Sequence, residues 1–308
     1  MHRRVYRLVF GLQLAIGACG LVAASAALGA AVGSVHRESA NGHEIVVMGQ
    51  QLTYPTVNVA AAVLLALAAV GAIVIVIALR AGWRQLRVHR RLVRGIGVLG
   101  PLPGHPNVTL IDDPALHAFC AGYLRPRIYV STGALDVLSD DELEAVLVHE
   151  DQHRVLRDPL RLASAQILSQ ALFFLPALQV LGDRWSDLAE ERADDAAVQA
   201  AGDKGPLAAA LLAFDDGTPP GGSGISPHRV DSLLGHPVRR RLPSALIAAS
   251  LAVLSALIVL VWRASAAASA HATFDLPVLS SQPCMLMLAL LPVLGCAAAF
   301  WGRRRVPA

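Results

Sequence analysis

SDDELEAVLVHEDQH, residues 139–153, decides how this chain is read. Ser139 followed three residues later by Glu142 is a capping box, the signature of a helix beginning near Asp140. Leu143, Val146 and Leu147 then recur at helical spacing, and Pro159 marks the expected end nearby. His149 and His153 stand four residues apart on this helix, so both imidazoles leave one face and reach one ion. Glu150 points to the flank, where it can take a proton from water held at that ion. His149, Glu150 and His153 are therefore candidates for two metal ligands and a general base.

A catalytic zinc keeps three protein ligands and leaves one position open. The third is sought in DRWSDLAEERADDAAVQAAG, residues 183–202. Glu190 and Asp194 lie one helical turn apart, and so do Glu191 and Asp195. Either glutamate can serve as ligand, with its partner aspartate orienting a histidine from behind. Asp158, five residues after His153, is a second candidate for that supporting role. No CxxC pattern occurs among the four cysteines, so a cysteine-ligated site is not expected.

Composition makes a separate argument. The chain is 308 residues long, 55% hydrophobic, with mean hydropathy +0.52, too apolar for an ordinary soluble domain. Four segments reach the ~20 apolar residues a membrane helix needs: about 8–32, 57–79, 244–262 and 284–301. The first is longer than the ~7–15 apolar residues of a signal peptide, so it reads as a retained anchor. Arginines flank the spans unevenly. Arg3, Arg4 and Arg7 precede the first; Arg80, Arg84, Arg87, Arg90, Arg91 and Arg94 follow the second. Arg239, Arg240 and Arg241 precede the third, and Arg303, Arg304 and Arg305 follow the fourth. The intervening loops hold Arg37 and Arg263 alone. Positive flanks mark the cytoplasmic side, so both termini and the 80–243 region are expected there, in a multi-pass protein of the cell membrane. The net charge of +3 is a membrane-flank signature, and no nucleic-acid motif accompanies it.

The expected architecture is α+β: four transmembrane helices and a mostly helical, zincin-like cytoplasmic domain with a small β-sheet. Residues 1–95 and 244–308 form the two membrane regions, and 96–243 the domain between them. Strands are expected at Val108–Ile111, Ala118–Gly122 and Arg127–Val130, and a short helix near Leu207–Phe214. GTPPGGSG, 217–224, reads as a flexible loop. Ala163–Gly182 is apolar but carries Ser164, Gln166, Ser169, Gln170, Pro176 and Gln179. Were it to cross the bilayer, the histidines and Glu190 would lie on opposite sides and could share no ion. A buried helix or a broken hairpin against the spans is expected instead.

Residues 114–160, together with AFCAG at 118–122, PRIYVSTG at 126–133, DELEAVLVHE at 141–150 and E-x-x-A-D at Glu190–Asp194, resemble the membrane zinc metallopeptidases of the beta-lactam-sensor (BlaR/MecR) type. That group is related to the HtpX-type and CAAX prenyl proteases. The resemblance covers roughly residues 96–235. It implies Zn²⁺ held by His149, His153 and Glu190, with Glu191 the alternative, and Glu150 as catalytic base. Ala118, Phe119, Cys120, Ala121 and Gly122 are then the candidates for binding a protein or peptide substrate by β-addition. His117 stands where the relatives often have Asn. Those sensors also carry an extracellular penicillin-binding domain, and only a few residues follow Trp301, so antibiotic sensing by this chain alone is not expected. Cleavage of a transcriptional repressor is the function implied. The alternatives are membrane-protein quality control and a non-catalytic membrane sensor or scaffold.

Overall fold

The computed structural model describes residues 2–33, 35–36, 43–47, 50–54, 56–57, 59–216, 243–268 and 270–271. The helix at the centre of the motif is α4, Asp140–Leu156, and it begins as its capping box dictates. The Ser139 backbone N–H donates to Glu142 Oε2 at 2.8 Å. Such a cap contributes on the order of 1 kcal/mol. Burial contributes more. Val146 and Leu147 of α4 pack with Leu102, Val108, Ile128 and Val130 of a sheet, and each such side chain removed from water is worth roughly 1.5–3 kcal/mol. The sheet therefore holds α4 in place, and the cap sets where it starts.

That sheet has four strands in the order β5-β6-β8-β7, with β5 Val98–Leu102, β6 His105–Ile111, β7 Ala118–Ala121 and β8 Arg127–Ser131. β6 and β8 run parallel; the β5–β6 and β7–β8 pairs are antiparallel. β7 is thus an edge strand. Gly122 follows it at φ 119°, where a Cβ would meet Arg125 O at 2.8 Å, so the turn into β8 requires glycine. A short helix, α3 (Thr132–Val137), leads from β8 to α4, capped by Ser131 Oγ accepting from Ala134 N at 3.0 Å. Gly133 in it lies so close to Pro114 that a Cβ would run into the Pro114 carbonyl oxygen.

The chain forms two compact units. The first, Met1–Ala24 with Ala72–Leu257, contains α3, α4 and the helices that follow them up to Asp216, the four-stranded sheet and part of each of three long helices. These helices are α1 (His2–Gly33), α2 (Val59–Gly95) and α8 (Ser244–Ala267). The second unit, Ser25–Gly71 with Ile258–Ala308, has a cluster of Ala31, Leu64, Ala68 and Ala264. It also has two small sheets. One pairs β2 (His43–Val47) with β3 (Gln50–Tyr54); the other joins β1 (Val35–His36), β9 (Ala270–His271) and β4 (Thr56–Val57).

Among the described residues, three helices are long and apolar enough to cross a membrane: Val5–Gly33, Val59–Gly95 and Ser244–Ala267. The fourth expected span, 284–301, and the 217–224 loop lie outside the described residues. The second apolar helix does not stop at 79. It continues unbroken through the arginines to Gly95, because long charged side chains end a span without ending a helix.

Residues 163–182 form no continuous helix. α5 (Asp158–Ala171) stops, four residues turn, and α6 (Pro176–Ala201) begins with proline in its first turn, where the missing N–H costs nothing. Both arms pack on the first helix. Leu172, Leu175, Leu178, Leu181 and Trp185 are essentially fully buried with Tyr6, Val9 and Ile16. Gln13 Nε2 donates to Leu178 O at 3.0 Å, giving this polar group inside the cluster a partner. The hairpin returns the chain to the side from which it left, so α4 and α6 come together. The last helix of the unit is α7, Gly205–Asp216, slightly longer than expected from sequence. Sequence reading passes over β5 and α3: β5 contains Gly and Pro, and α3 is barely two turns long.

Candidate metal centre

α4 and α6 carry the site between them. His149 Nε2 and His153 Nε2 are 3.2 Å apart. Glu190, across on α6, brings Oε2 to 3.5 Å from His149 Nε2 and Oε1 to 3.6 Å from His153 Nε2. One donor atom from each of the three lies within 4.8 Å of the others. Two imidazole nitrogens and one carboxylate, converging from two helices, are a donor set that suits zinc.

The outer nitrogens are also engaged. His149 Nδ1 is 2.9 Å from Asp194 Oδ1, and His153 Nδ1 is 2.9 Å from Asp158 Oδ2. Asp194 and Asp158 are both buried. Asp158 hydrogen-bonds His153 Nδ1 and the Asp194 carboxylate faces His149 Nδ1, so in the neutral rings the Nε2 lone pairs are turned toward the shared centre. Asp194 lies one turn beyond Glu190 on the same face of α6. Glu191 points elsewhere, with Oε1 4.0 Å from Arg184 Nη1, and Asp195 is exposed.

Asp158 reaches His153 because of a backbone feature. Arg157 adopts φ 55° and ψ 42°, the one positive-φ position among described residues other than glycine. This left-handed residue costs roughly 1–2 kcal/mol. It ends α4 and restarts the chain at once as α5, so that Asp158 opens α5 beside His153. Pro159 therefore sits in the first turn of α5 and does not itself terminate α4.

Burial opposes a charged imidazole at His149, but the carboxylates of Asp194 and Glu190 outweigh it and raise its pKa to about 9. Glu150 is raised above the ordinary carboxylate range. Burial is the main cause, Glu190 adds to it, and His149 and His153 oppose it. The Cys120 backbone also hydrogen-bonds the Glu150 carboxylate. A carboxylate so placed is a stronger base than a solvated one. The Cys120 thiol is pushed up to about 12, first by burial and then by the negative charge of Glu150, so it stays protonated and is no nucleophile.

Of the substrate candidates, Ala118 to Ala121 form edge strand β7, packed against α4, and Gly122 lies in the turn beyond. His117 Nε2 is 3.7 Å from Asp113 Oδ2, and its backbone N–H donates to Ser131 Oγ. Sequence reasoning passed over two residues. Tyr6 donates its hydroxyl to Asp158 Oδ1 at 2.6 Å, and Arg161 Nη1 donates to that same hydroxyl at 2.7 Å. Tyr6 stands 152 residues from Asp158, inside an apolar helix, where no local spacing signals it.

Residues 78–187 match the model of Peptidase family M48. Relatives named "Protease HtpX homolog" are similar over short stretches. The one from Nitrosomonas eutropha is 37% identical over 97 residues, 30% of this chain and 31% of that protein. The one from Nitrosomonas europaea is 36% identical over 97 residues, with the same shares covered. The one from Trichormus variabilis is 34% identical over 94 residues, again 30% and 31%. The chain thus spans about a third of the length of the curated relatives it matches. No solved structure gives a significant match. The matched stretch contains His149, Glu150, His153 and Asp158 and stops before Glu190, which joins the two histidines in the cluster by its geometry.

Proposed function

We propose that this chain is a membrane-anchored, zinc-dependent endopeptidase that hydrolyses a peptide bond of a protein substrate at the cytoplasmic face of the cell membrane. The observation that carries this reading is the convergence of His149, His153 and Glu190 within 4.8 Å, with Glu150 next to the first histidine. Similarity to peptidase family M48 and to proteases named as HtpX homologues points the same way. Zn²⁺ held by these three residues would supply a Lewis acid that acidifies water and polarises a carbonyl. Glu150 takes the proton from the attacking water and later delivers it to the leaving amine. Asp194 and Asp158 hold the imidazoles in the tautomer that presents Nε2. β7 lies at the edge of its sheet beside α4, where an extended substrate can add as a further strand. The substrate class follows from the resemblance to the beta-lactam-sensor type: a cytoplasmic regulatory protein such as a transcriptional repressor.

The test uses the full-length chain purified in detergent. It should hold one zinc per chain and cleave an unfolded protein, and a chelator should abolish cleavage. Glu150→Gln should keep its zinc and lose activity by about 10²–10⁴-fold, the usual contribution of a general base. Near-normal turnover by the zinc-loaded variant sinks the role given to Glu150. A wild-type chain that binds zinc but cleaves no protein favours the non-catalytic sensor instead.

A further inference from the structure

Tyr6 belongs to α1, the first of the apolar helices, and is 2% exposed. Its hydroxyl does two things at once: it donates to Asp158 Oδ1 at 2.6 Å and accepts from Arg161 Nη1 at 2.7 Å. The other oxygen of Asp158 faces His153 Nδ1 at 2.9 Å. A carboxylate with one free oxygen can swing about its terminal torsion. With Oδ1 tied to Tyr6, Oδ2 has one direction left, and that direction is the imidazole of His153. The ring of Tyr6 touches the other arm of the site. Trp185 packs on it with ring centroids 5.6 Å apart, and the Arg192 guanidinium lies 5.1 Å from its centroid. Trp185 and Arg192 stand on α6, on either side of Glu190 in sequence.

Resting on the zinc reading above, we propose that Tyr6 is a positioning residue of the metal centre: through Asp158 it fixes the ring of His153, and through Trp185 and Arg192 it fixes the helix that bears Glu190. The first membrane helix is then part of the metal site's supporting shell as well as an anchor. Groups that orient metal ligands are worth about 10–100-fold in metal affinity. The bland alternative is that the tyrosine only gives the buried Asp158 charge a donor. That predicts lost stability and an unchanged metal site.

The two are separated in the full-length chain in detergent micelles, by zinc competition against a chromophoric chelator and by the visible absorption bands of the cobalt-substituted form. Tyr6→Phe keeps the ring and removes the hydroxyl. Zinc should bind about 10-fold more weakly and the cobalt bands should shift. Combined with Asp158→Asn, the tyrosine change should cost nothing further, since it acts through that carboxylate. Arg161→Lys, which disturbs the same hydroxyl from α5, should shift the bands in the same sense. Wild-type affinity and unaltered bands in Tyr6→Phe and Arg161→Lys overturn the proposal, whatever their melting temperatures. Additive losses in the double variant overturn it too. A wild-type chain that takes up no zinc, or a His149→Ala variant that keeps it, overturns the zinc reading itself and this inference with it.

Discussion

His149 Nδ1 lies 2.9 Å from Asp194 Oδ1, with the imidazole 8% and the carboxylate 4% exposed. A buried carboxylate without a partner is costly, so the two groups require each other. Asp194→Asn keeps the shape and removes the charge. Zinc affinity should fall about 10–100-fold, while Asp195→Asn, at an exposed position one residue on, should leave it unchanged. Equal affinities in the two variants would show that Asp194 does not orient the ligand.

The register of α6 is open to direct test. Glu190→Ala should abolish stoichiometric zinc, since Glu190 meets both Nε2 atoms at 3.5 and 3.6 Å. Glu191→Ala should retain it, because that carboxylate is directed to Arg184. Metal analysis of the purified variants decides. Loss of zinc in Glu191→Ala alone moves the ligand by one residue and moves the supporting aspartate to Asp195.

Protons and zinc compete for His149. Its pKa is raised from 6.5 to about 9 by Asp194 and Glu190 against the effect of burial, and zinc requires the neutral imidazole. Zinc affinity of the folded chain should therefore climb as pH rises toward about 9 and level off above. In the metal-free chain the linkage runs the other way. The folded state binds this proton more tightly than the unfolded state, so the stabilisation is full below pH 6.5 and is lost as pH rises through about 9. Chelator competition and chemical unfolding across this window report the two trends. A zinc affinity flat in pH removes the assignment of His149 as the proton's site.

The proposed orientation rests on charge. If segments 33–56 and 263–283 lie outside and 80–243 inside, Ser39→Cys should react with an impermeant thiol reagent in intact cells, in a background lacking the native cysteines. Ser223→Cys should react only after lysis. Labelling of Ser223→Cys in intact cells would place the metal centre outside and leave secreted or envelope proteins as substrates.

Helix α4 and the pairing of His149 with His153 could be read from the chain, because a helix places residues i and i+4 on one face whatever surrounds it. The capping box and the apolar spacing fixed its start to the residue. Strands β6, β7 and β8 emerged near their expected bounds, since short runs of apolar and β-branched residues between turn residues mark them locally. The choice between Glu190 and Glu191 was different. Successive helical residues point about 100° apart, and only the packing of α6 on α4 selects which carboxylate turns inward.

The sequence by itself determined helix α4, strands β6 to β8, three apolar helices and the residue types able to hold a metal, because propensity, capping and periodicity act within a few residues. Tertiary structure alone decided what joins them. For 163–182 it chose the broken hairpin, one of the two readings the sequence left open; it also set the left-handed Arg157 that starts α5 beside His153, and it brought Tyr6 to Asp158 from the far end of the chain. The Tyr6–Asp158 contact joins groups 152 residues apart whose sequence neighbours carry no trace of the partner, so it exists only once burial has brought the helices together.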